Sequence, residues 1–166
     1  MPCFCLWREN MRFIKEVLPY IVILLVVILI RTYIITPVIV NGESMSPTLK
    51  NNELLLLKKY DKKIERFDIV VFKYNDSRLI KRVIGLPGDK VEYKDGKLYI
   101  NDEEMVDPFS NITKDFKYIG VVSENSYFVL GDNRNDSVDS RMIGSVTKDM
   151  LLGSTDFSIW PIKTLK

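Results

Sequence analysis

Residues 17–36 read VLPYIVILLVVILIRTYIIT, and this stretch divides the chain of 166 residues into two parts of different character. As an α-helix these 20 residues would be about 30 Å long, close to the thickness of a bilayer's hydrocarbon core. Arg31 is the only charged residue in the stretch, and from near one end its long side chain can reach the polar interface. The stretch therefore predicts one transmembrane helix. Pro37 is expected to end it, because the residue before a proline is disfavoured in helical conformation.

Two other interpretations of this stretch are less favoured. A cleaved signal peptide needs small residues at its cleavage site, and the Ile39-Val40-Asn41-Gly42 segment offers none at the right spacing. A buried core helix of a small domain would not be apolar on all sides. Arg8, Arg12 and Lys15 precede the stretch, so the positive-inside rule places the N-terminus in the cytoplasm.

The remainder of the chain has the pattern of a β domain. Short runs of β-branched and aromatic residues alternate with turn signals, and the Asp95-Gly96 step between two such runs is typical of a hairpin. Residues 101–122 are polar and weakly patterned, which predicts a loop. The predicted fold class is mainly β, an antiparallel, barrel-like domain behind one N-terminal transmembrane helix. The predicted organisation is a cytoplasmic tail at 1–16, a transmembrane anchor at 17–36 and an extracytoplasmic domain at 37–166. The predicted strands are 38–40, 53–58, 67–72, 79–84, 91–93, 97–100 and 127–130.

The composition excludes one common kind of active site. The chain has no histidine, so the base that activates any serine has to be a carboxylate, an amine or a metal-bound group. A formal net charge of +2, with the lysines dispersed, does not favour nucleic-acid binding. Cys3 and Cys5 lie at the extreme N-terminus and predict neither a structural disulfide nor a metal site. No cofactor or metal is expected.

Ser44 is the candidate nucleophile. It lies between Gly42, which permits close backbone approach, and Pro47, which fixes the chain after it. A nucleophile on such a turn can supply its own backbone N–H to an oxyanion hole. Taken alone, however, the pattern favours a serine that caps a short helix. Ser46 competes for the same role, but a capping or turn position is expected for it directly before the proline.

Lys81 is the lysine whose setting best suits a general base. Its neighbours, Leu79-Ile80 and Val83-Ile84, have strand character, and burial among them would lower the amine pKa from its ordinary value of about 10.4. Alternation along a strand puts Lys81 and Arg82 on opposite faces, so at most one of them points towards Ser44. On this pattern alone, the alternative is that Lys81 and Arg82 are both solvated residues of a strand.

Residues 131–141, GDNRNDSVDSR, are dense in polar and charged side chains. Such a segment is either a solvated loop or a network that orients catalytic groups through hydroxyls and an Asp–Arg ion pair. A calcium loop is disfavoured, because the spacing does not fit an EF-hand and two arginines would repel the ion.

Three motifs resemble those of the bacterial type I signal peptidases, in the same order and behind a single N-terminal anchor. They are Ser44-Met45-x-Pro47-Thr48, Lys81-Arg82-Val83-Ile84-Gly85-Leu86-Pro87-Gly88-Asp89 and Gly131-Asp132-Asn133-Arg134-x-x-Ser137-x-Asp139-Ser140-Arg141. The likeness runs from about residue 31 to residue 153. Two departures indicate a minimal form similar to Gram-positive relatives. Gly42 stands where some members have an oxyanion-hole serine, and 101–122 is too short for a large second domain.

The resemblance implies a role for each matching residue. Ser44 is expected to be the nucleophile and Lys81 the general base, with Ser137 hydrogen-bonded to the lysine. The supporting residues are expected to be Asp139, paired with Arg141 or Arg82, together with Gly131 and Asn133, which would shape the floor of the site.

The function that the resemblance implies is that of a membrane-anchored serine endopeptidase, which would remove signal peptides by a Ser-Lys dyad mechanism. Its expected partners are the signal peptides of secreted preproteins, the lipid bilayer and the protein export machinery, with no nucleic acid. Apolar residues beside the dyad are expected to form shallow pockets for small side chains. The candidates for these pockets are Val38, Val40, Met45, Leu49, Leu79 and Ile80.

Two alternatives stay open. The self-cleaving repressors of the DNA-damage response resemble this fold and use a Ser-Lys pair, but they lack an anchor such as residues 17–36. The other alternative is an inactive, anchored β domain that serves as an extracytoplasmic binding module. The intact set of Ser44, Lys81 and Asp139 argues against it.

Overall fold

The structure, a computed structural model, describes residues 3–59 and 63–165, with side chains from residue 15 onwards within these ranges. The chain divides into two compact units, Met1–Thr36 and Pro37–Lys166. The first unit is built around one long helix, α1 (Cys3–Tyr33). Its Lys15–Tyr33 part has a mean hydropathy of 2.1 and is long and apolar enough to cross a membrane.

Both ends of α1 differ from the predicted helix at 17–36. The helix begins well before residue 17, and it ends at Tyr33. Pro37 is not the residue that ends it, because the first strand begins at Ile35 and contains the proline. The hydroxyl of Thr36 donates to the carbonyl O of Arg31 at 3.1 Å, which satisfies one of the acceptors left free at a helix end.

The rest of the chain is mainly β. The strands are β1 (Ile35–Ile39), β2 (Leu54–Lys58), β3 (Ile69–Tyr74), β4 (Ser77–Gly85), β5 (Val91–Lys94), β6 (Lys97–Ile100), β7 (Glu103–Met105), β8 (Phe116–Lys117), β9 (Ser126–Leu130), β10 (Val146–Thr147), β11 (Leu151–Thr155), β12 (Phe157–Trp160) and β13 (Lys163–Thr164). A short helix, α2 (Ser140–Ile143), follows β9, and 3₁₀ turns occupy Ser110–Ile112 and Lys148–Met150. The seven predicted strands correspond to β1 to β6 and β9, with ends shifted by up to three residues.

The larger sheet has nine strands and carries the candidate site residues. Its order is β10-β9-β4-β3-β11-β2-β12-β13, and β1 pairs with β2 outside that order. β3 and β4 form a long antiparallel ladder, from Ile69 opposite Arg82 to Tyr74 opposite Ser77. The other neighbour of β4, β9, pairs with it only from Arg82 onwards. Residues 77–81 therefore have a paired strand on one side only within the described chain. The sheet is antiparallel as predicted, but it is open and does not form a closed barrel.

The smaller sheet has the order β7-β6-β5-β8. The predicted hairpin joins β5 to β6, and its two turn residues, Asp95 and Gly96, have the positive φ angles of 52° and 72° that such a turn requires. The prediction of a loop at 101–122 is wrong, because β7, a 3₁₀ turn and β8 lie there. These strands are only two or three residues long and have little sequence pattern of their own. They are defined by their pairing and by the packing of Met105 and Phe116 on the core.

One apolar cluster fixes the segment around Ser44. Val40, Met45 and Leu49 are 3%, 1% and 0% exposed and pack with Leu55 and Ile80. Burial of a side chain of this size contributes about 1.5–3 kcal/mol. The turn that bears Ser44 is therefore held by apolar residues on both sides of it.

Candidate active site

Ser44 lies in a turn directly after β1. The backbone N–H of Val40 donates to the carbonyl O of Glu53 at 2.9 Å, and the N–H of Gly42 donates to Asn51 Oδ1 at 2.9 Å. Residues 44–48 are turns and not a helix, so Ser44 does not cap one. The backbone N–H of Ser44 donates no hydrogen bond to any residue that the structure describes.

Lys81 lies in the middle of β4, and its Nζ is 2.6 Å from Ser44 Oγ. The side chain reaches the serine from a buried position, since Lys81 is only 1% exposed. Burial lowers the pKa of Lys81 from 10.5 to about 8, while the negative charges of Asp139 and Asp132 act in the opposite direction. A substantial fraction of the amine is therefore neutral in mildly alkaline solution.

Asp139 pairs with Arg141 and not with Arg82. Its carboxylate accepts from Arg141 Nε and Nη2, both at 2.8 Å, and from the backbone N–H of Gly131 at 3.1 Å. The backbone N–H of Arg141 also donates to it at 3.3 Å, so Asp139 caps α2. Of the two arginines that the sequence proposed for this aspartate, only Arg141 is its partner.

Arg82 instead pairs with Asp132. Its Nε and Nη2 donate to the two carboxylate oxygens at 2.8 and 2.6 Å, and its Nη1 donates to the carbonyl O of Phe67 at 2.9 Å. Lys81 and Arg82 are neighbours in β4 and point to opposite faces of it, as alternation predicts. In the sequence, Asp132 is not distinguished from the other aspartates of residues 131–141.

Gly131 and Asn133 bring the 131–141 segment against the Ser44 turn. The backbone N–H of Asn133 donates to the carbonyl O of Ser44 at 3.1 Å, and Asn133 Nδ2 donates to the carbonyl O of Glu43 at 3.3 Å. A Cβ at Gly131 would lie 2.5 Å from the Ser44 carbonyl O and would overlap the side chain of Ser137. The close approach of these backbones requires glycine at this position.

Ser137 is near this contact but does not make the expected hydrogen bond to Lys81. Its Oγ is buried and has no hydrogen-bond partner among the described residues. A buried hydroxyl without a partner is unfavourable, and such groups are often found at functional sites. The fold thus brings the carboxylates of Asp132 and Asp139 and the serine turn together with Lys81. The Ser137 hydroxyl remains unpaired.

A cleft of about 710 Å³ is lined by both Ser44 and Lys81. Residues 37–41 and 76–81 line it together with Ser44 and Met45. The candidate pocket residues that line it are Val38, Val40, Met45, Leu79 and Ile80.

Leu49 does not line the cleft. It is fully buried in the apolar cluster under the turn. There it helps to fix the position of Ser44 and does not contact a ligand in the cleft. Six lining residues were not predicted, namely Pro37, Ile39, Asn41, Asp76, Ser77 and Arg78. The last three are polar residues around a turn and the start of a strand, and their sequence pattern resembles that of any exposed hairpin.

Residues 12–160 match the model of the family described as signal peptidase, peptidase S26. The chain belongs to this family. Signal peptidase I S of Bacillus subtilis (strain 168) is 36% identical to it over 179 aligned positions, which cover 95% of this chain and 97% of the relative. Signal peptidase IB of Staphylococcus aureus (strain COL) is 35% identical, with 92% and 94% covered.

A solved structure agrees with this assignment. The signal peptidase I from Enterococcus faecalis V583 is 40% identical and superposes with a TM-score of 0.53, covering 56% of this chain and 97% of that one. The resemblance inferred from the three motifs is therefore confirmed, and the chain is a peptidase of the S26 family.

One buried cluster of this S26 peptidase could not be predicted from the sequence. The guanidinium of Arg134 is paired with Asp107, from the segment predicted to be a loop, and both side chains are 0% exposed. Arg134 also donates to Tyr93 Oη at 3.0 Å and to Thr113 Oγ1 at 2.7 Å. Nothing in the pattern of residues 101–122 distinguishes Asp107 from the exposed acidic residues near it. Only the fold shows that it is buried.

Proposed function

We propose that the chain is a membrane-anchored serine endopeptidase that removes N-terminal signal peptides from exported preproteins, with Ser44 as nucleophile and Lys81 as general base. The observation that carries the proposal is the 2.6 Å distance between Lys81 Nζ and Ser44 Oγ in a chain of the S26 family. The relatives named as signal peptidases supply the class of substrate.

The chemistry follows from the state of the lysine. Neutral Lys81 takes the proton of the Ser44 hydroxyl while Oγ attacks the carbonyl carbon of the scissile bond. The resulting ammonium then donates this proton to the leaving amine as the C–N bond breaks. A water that gives a proton to Lys81 attacks the ester of the acyl-enzyme, and the released serine oxygen takes that proton back. The lowered pKa of Lys81 supports this cycle, because an amine with its ordinary pKa would be almost fully protonated near neutral pH.

The oxyanion of each tetrahedral intermediate needs hydrogen-bond donors. The backbone N–H of Ser44 is suited to this role, since it has no acceptor among the described residues. Gly42, two residues earlier, has no side-chain donor to add. Backbone groups therefore have to supply the stabilisation.

The edges of the cleft fit an extended peptide. β1 pairs with β2, and residues 77–81 of β4 pair with β3, so each of the two has an unpaired edge within the described chain. An extended segment between them can form backbone hydrogen bonds with either strand, and side chains that alternate in direction would enter apolar depressions. The signal peptide is therefore assigned to this cleft.

The apolar helix supports attachment to the membrane. We infer that residues 17–36 include the membrane-spanning part, with residues 1–16 in the cytoplasm and residues 37–166 as the extracytoplasmic catalytic domain. The exposure of the large apolar side chains between Leu18 and Ile30 is what a lipid-facing helix requires. Attachment to the bilayer raises the effective concentration of membrane-inserted substrates and places the enzyme beside the protein export machinery.

The test is cleavage of a preprotein by the detergent-solubilised full chain. The product N-terminus should be that of the mature protein, and Ser44→Ala and Lys81→Ala should each abolish the reaction while circular dichroism shows the wild-type fold. Cleavage by Ser44→Ala at the wild-type rate would refute the nucleophile. Failure of the folded wild-type chain to cleave any preprotein would favour an inactive binding module.

A further inference from the structure

The buried pair of Arg134 and Asp107 joins the smaller sheet to the catalytic segment. Arg134 Nη1 donates to Asp107 Oδ2 at 2.7 Å, and Arg134 Nη2 donates to Oδ1 at 3.2 Å. Asp107 also accepts from Tyr93 Oη at 2.7 Å, and Tyr93 lies in β5 of the smaller sheet. The same guanidinium donates through Nε to the carbonyl O of Gly131 at 3.0 Å. One side chain thus connects Asp107 with the glycine that packs against Ser44.

We propose that Asp107 is a positioning residue for the reaction, acting through Arg134 on residues 131–133 and through them on Ser44. This inference rests on the proposed function, because it assigns Asp107 to the same active site. Asp107 touches no atom of the serine or the lysine, and so its effect is on their geometry alone.

The contacts that carry the effect form a short chain. Arg134 holds the carbonyl O of Gly131, and Asp139 holds the N–H of the same residue at 3.1 Å. Asn133, one residue before Arg134, donates its backbone N–H to the carbonyl O of Ser44 at 3.1 Å. There is little free space between Gly131 and the Ser44 carbonyl, so a shift of the segment has to move the serine turn.

The electrostatics of the cluster make Asp107 the residue that keeps Arg134 in place. Arg134 is also flanked by the rings of Tyr93 and Phe109, at 5.4 and 5.5 Å from its Cζ to the ring centroids, but Asp107 supplies the only carboxylate in ion-pair contact with it among the described residues. Burial raises the pKa of Tyr93 well above its ordinary value, so the phenol stays neutral and donates its hydrogen bond. Without the carboxylate, Arg134 would be a buried charge without a counter-ion, and such a charge moves towards water.

Asp107 is remote from the cleft that is assigned to the signal peptide. The cleft is lined by residues 37–41, 44–45 and 76–81, and neither Asp107 nor Arg134 is among them. A change at Asp107 should therefore alter the turnover number and leave the apparent affinity for the substrate almost unchanged.

The experiment measures kcat and KM for a preprotein with the full chain in detergent. Asp107→Asn keeps the shape of the side chain and removes its charge. The expected result is a fall in kcat of about 10- to 100-fold, since misplacement of a reacting group by about 1 Å can cost on the order of 10²-fold, with KM within about threefold of wild type. Tyr93→Phe removes the hydroxyl that bonds Asp107 and Arg134 without a change of charge, and it should lower kcat in the same direction by a smaller factor.

Asp89→Asn is the matched control. Asp89 is also buried and paired with an arginine, Arg66, at 3.0 Å, but no contact of this pair reaches residues 131–141. It should lose stability comparably and keep the wild-type kcat.

Each other outcome has a defined meaning. A wild-type kcat in folded Asp107→Asn, an effect on KM alone, or an equal loss of kcat in Asp89→Asn would overturn the positioning role. If Asp107→Asn does not fold, an unchanged kcat in Tyr93→Phe overturns it. A folded wild-type chain that cleaves nothing defeats the proposed function and this inference with it, whereas a cleaving wild type with unaffected variants defeats this inference alone.

Discussion

Lys81 Nζ and Ser44 Oγ lie 2.6 Å apart, although 37 positions separate the two residues in the chain. The contact depends on two features of the fold. β4 holds the lysine in a buried position, and the apolar residues beside Ser44 anchor its turn against the core. The pair therefore combines a nucleophile with a base that is poorly solvated, and this combination has measurable consequences.

The rate of cleavage is expected to rise with pH. The base form of Lys81 is the neutral amine, and the neutral fraction increases as the pH passes through a pKa of about 8. A plot of log kcat/KM against pH should have an acid limb of slope one that levels off near pH 8. Lys81→Arg is the control, because a guanidinium stays protonated over this range and should give no cleavage. A profile that is flat from pH 5 to pH 9 would contradict a neutral-lysine base.

The same pKa predicts that the wild-type lysine destabilises the folded chain. Lowering the pKa from 10.5 to about 8 means that folding disfavours the ammonium by about 3 kcal/mol, at about 1.4 kcal/mol per unit. This cost is fully present below pH 8, and it disappears as the pH rises to 10.5, where the unfolded chain also loses the proton. Lys81→Met has a similar shape and no charge, so it should be inactive and more stable than wild type at pH 7.

Thermal unfolding monitored by circular dichroism checks this prediction. The Tm of Lys81→Met should exceed that of wild type by several degrees at pH 7, and the difference should shrink as the pH approaches 10.5. Equal or lower stability of the variant at pH 7 would mean that the buried lysine does not lower the free energy of unfolding.

Ser137 and Ser140 are expected to respond differently to loss of their hydroxyls. Ser137 Oγ is buried without a hydrogen bond, so Ser137→Ala should leave Tm unchanged or raise it slightly. If the hydroxyl orients Lys81 during the reaction, kcat should fall by about tenfold or more, which corresponds to one hydrogen bond to a charged group.

Ser140 provides the contrast. Its Oγ accepts from the backbone N–H of Val129 at 2.9 Å, so Ser140→Ala leaves a buried donor unpaired and should cost about 1–3 kcal/mol of stability. Both variants are compared by thermal unfolding and by preprotein cleavage. A wild-type kcat in Ser137→Ala would show that this serine has no role in the reaction.

The sequence was informative where a segment determines its own conformation. The apolar run, the Asp95-Gly96 hairpin and the strongly apolar strands are local patterns, and each could be predicted. The three motifs predicted the family. The partner of Arg82 could not be predicted, because Asp132 lies 50 positions away in the chain and only the pairing of β4 with β9 brings the two together.

Other features depend on long-range contacts. Leu49 has the pattern of a pocket residue but packs into the core, and Asp107 has the pattern of an exposed loop residue but is buried against Arg134. The edge strands β7 and β8 are too short to have a pattern of their own. Leu49 and Asp107 are placed by contacts with residues distant in sequence, and so is β8, which pairs with β5, whereas β7 pairs with the neighbouring β6.

Gly131→Ala is expected to affect the active site more severely than a glycine-to-alanine change in an open turn. The added Cβ would lie 2.5 Å from the carbonyl O of Ser44 and overlap the Ser137 side chain, so the serine turn and residues 131–133 have to separate. Overpacking of this kind costs about 1–3 kcal/mol, and displacement of the nucleophile should lower kcat on the order of 10²-fold. Gly120→Ala is the control, since a Cβ there meets nothing within 4 Å although φ is +85°. It should cost about 1–2 kcal/mol of backbone strain and retain cleavage. Wild-type turnover in folded Gly131→Ala would show that the close approach of these two backbones is not needed for the reaction.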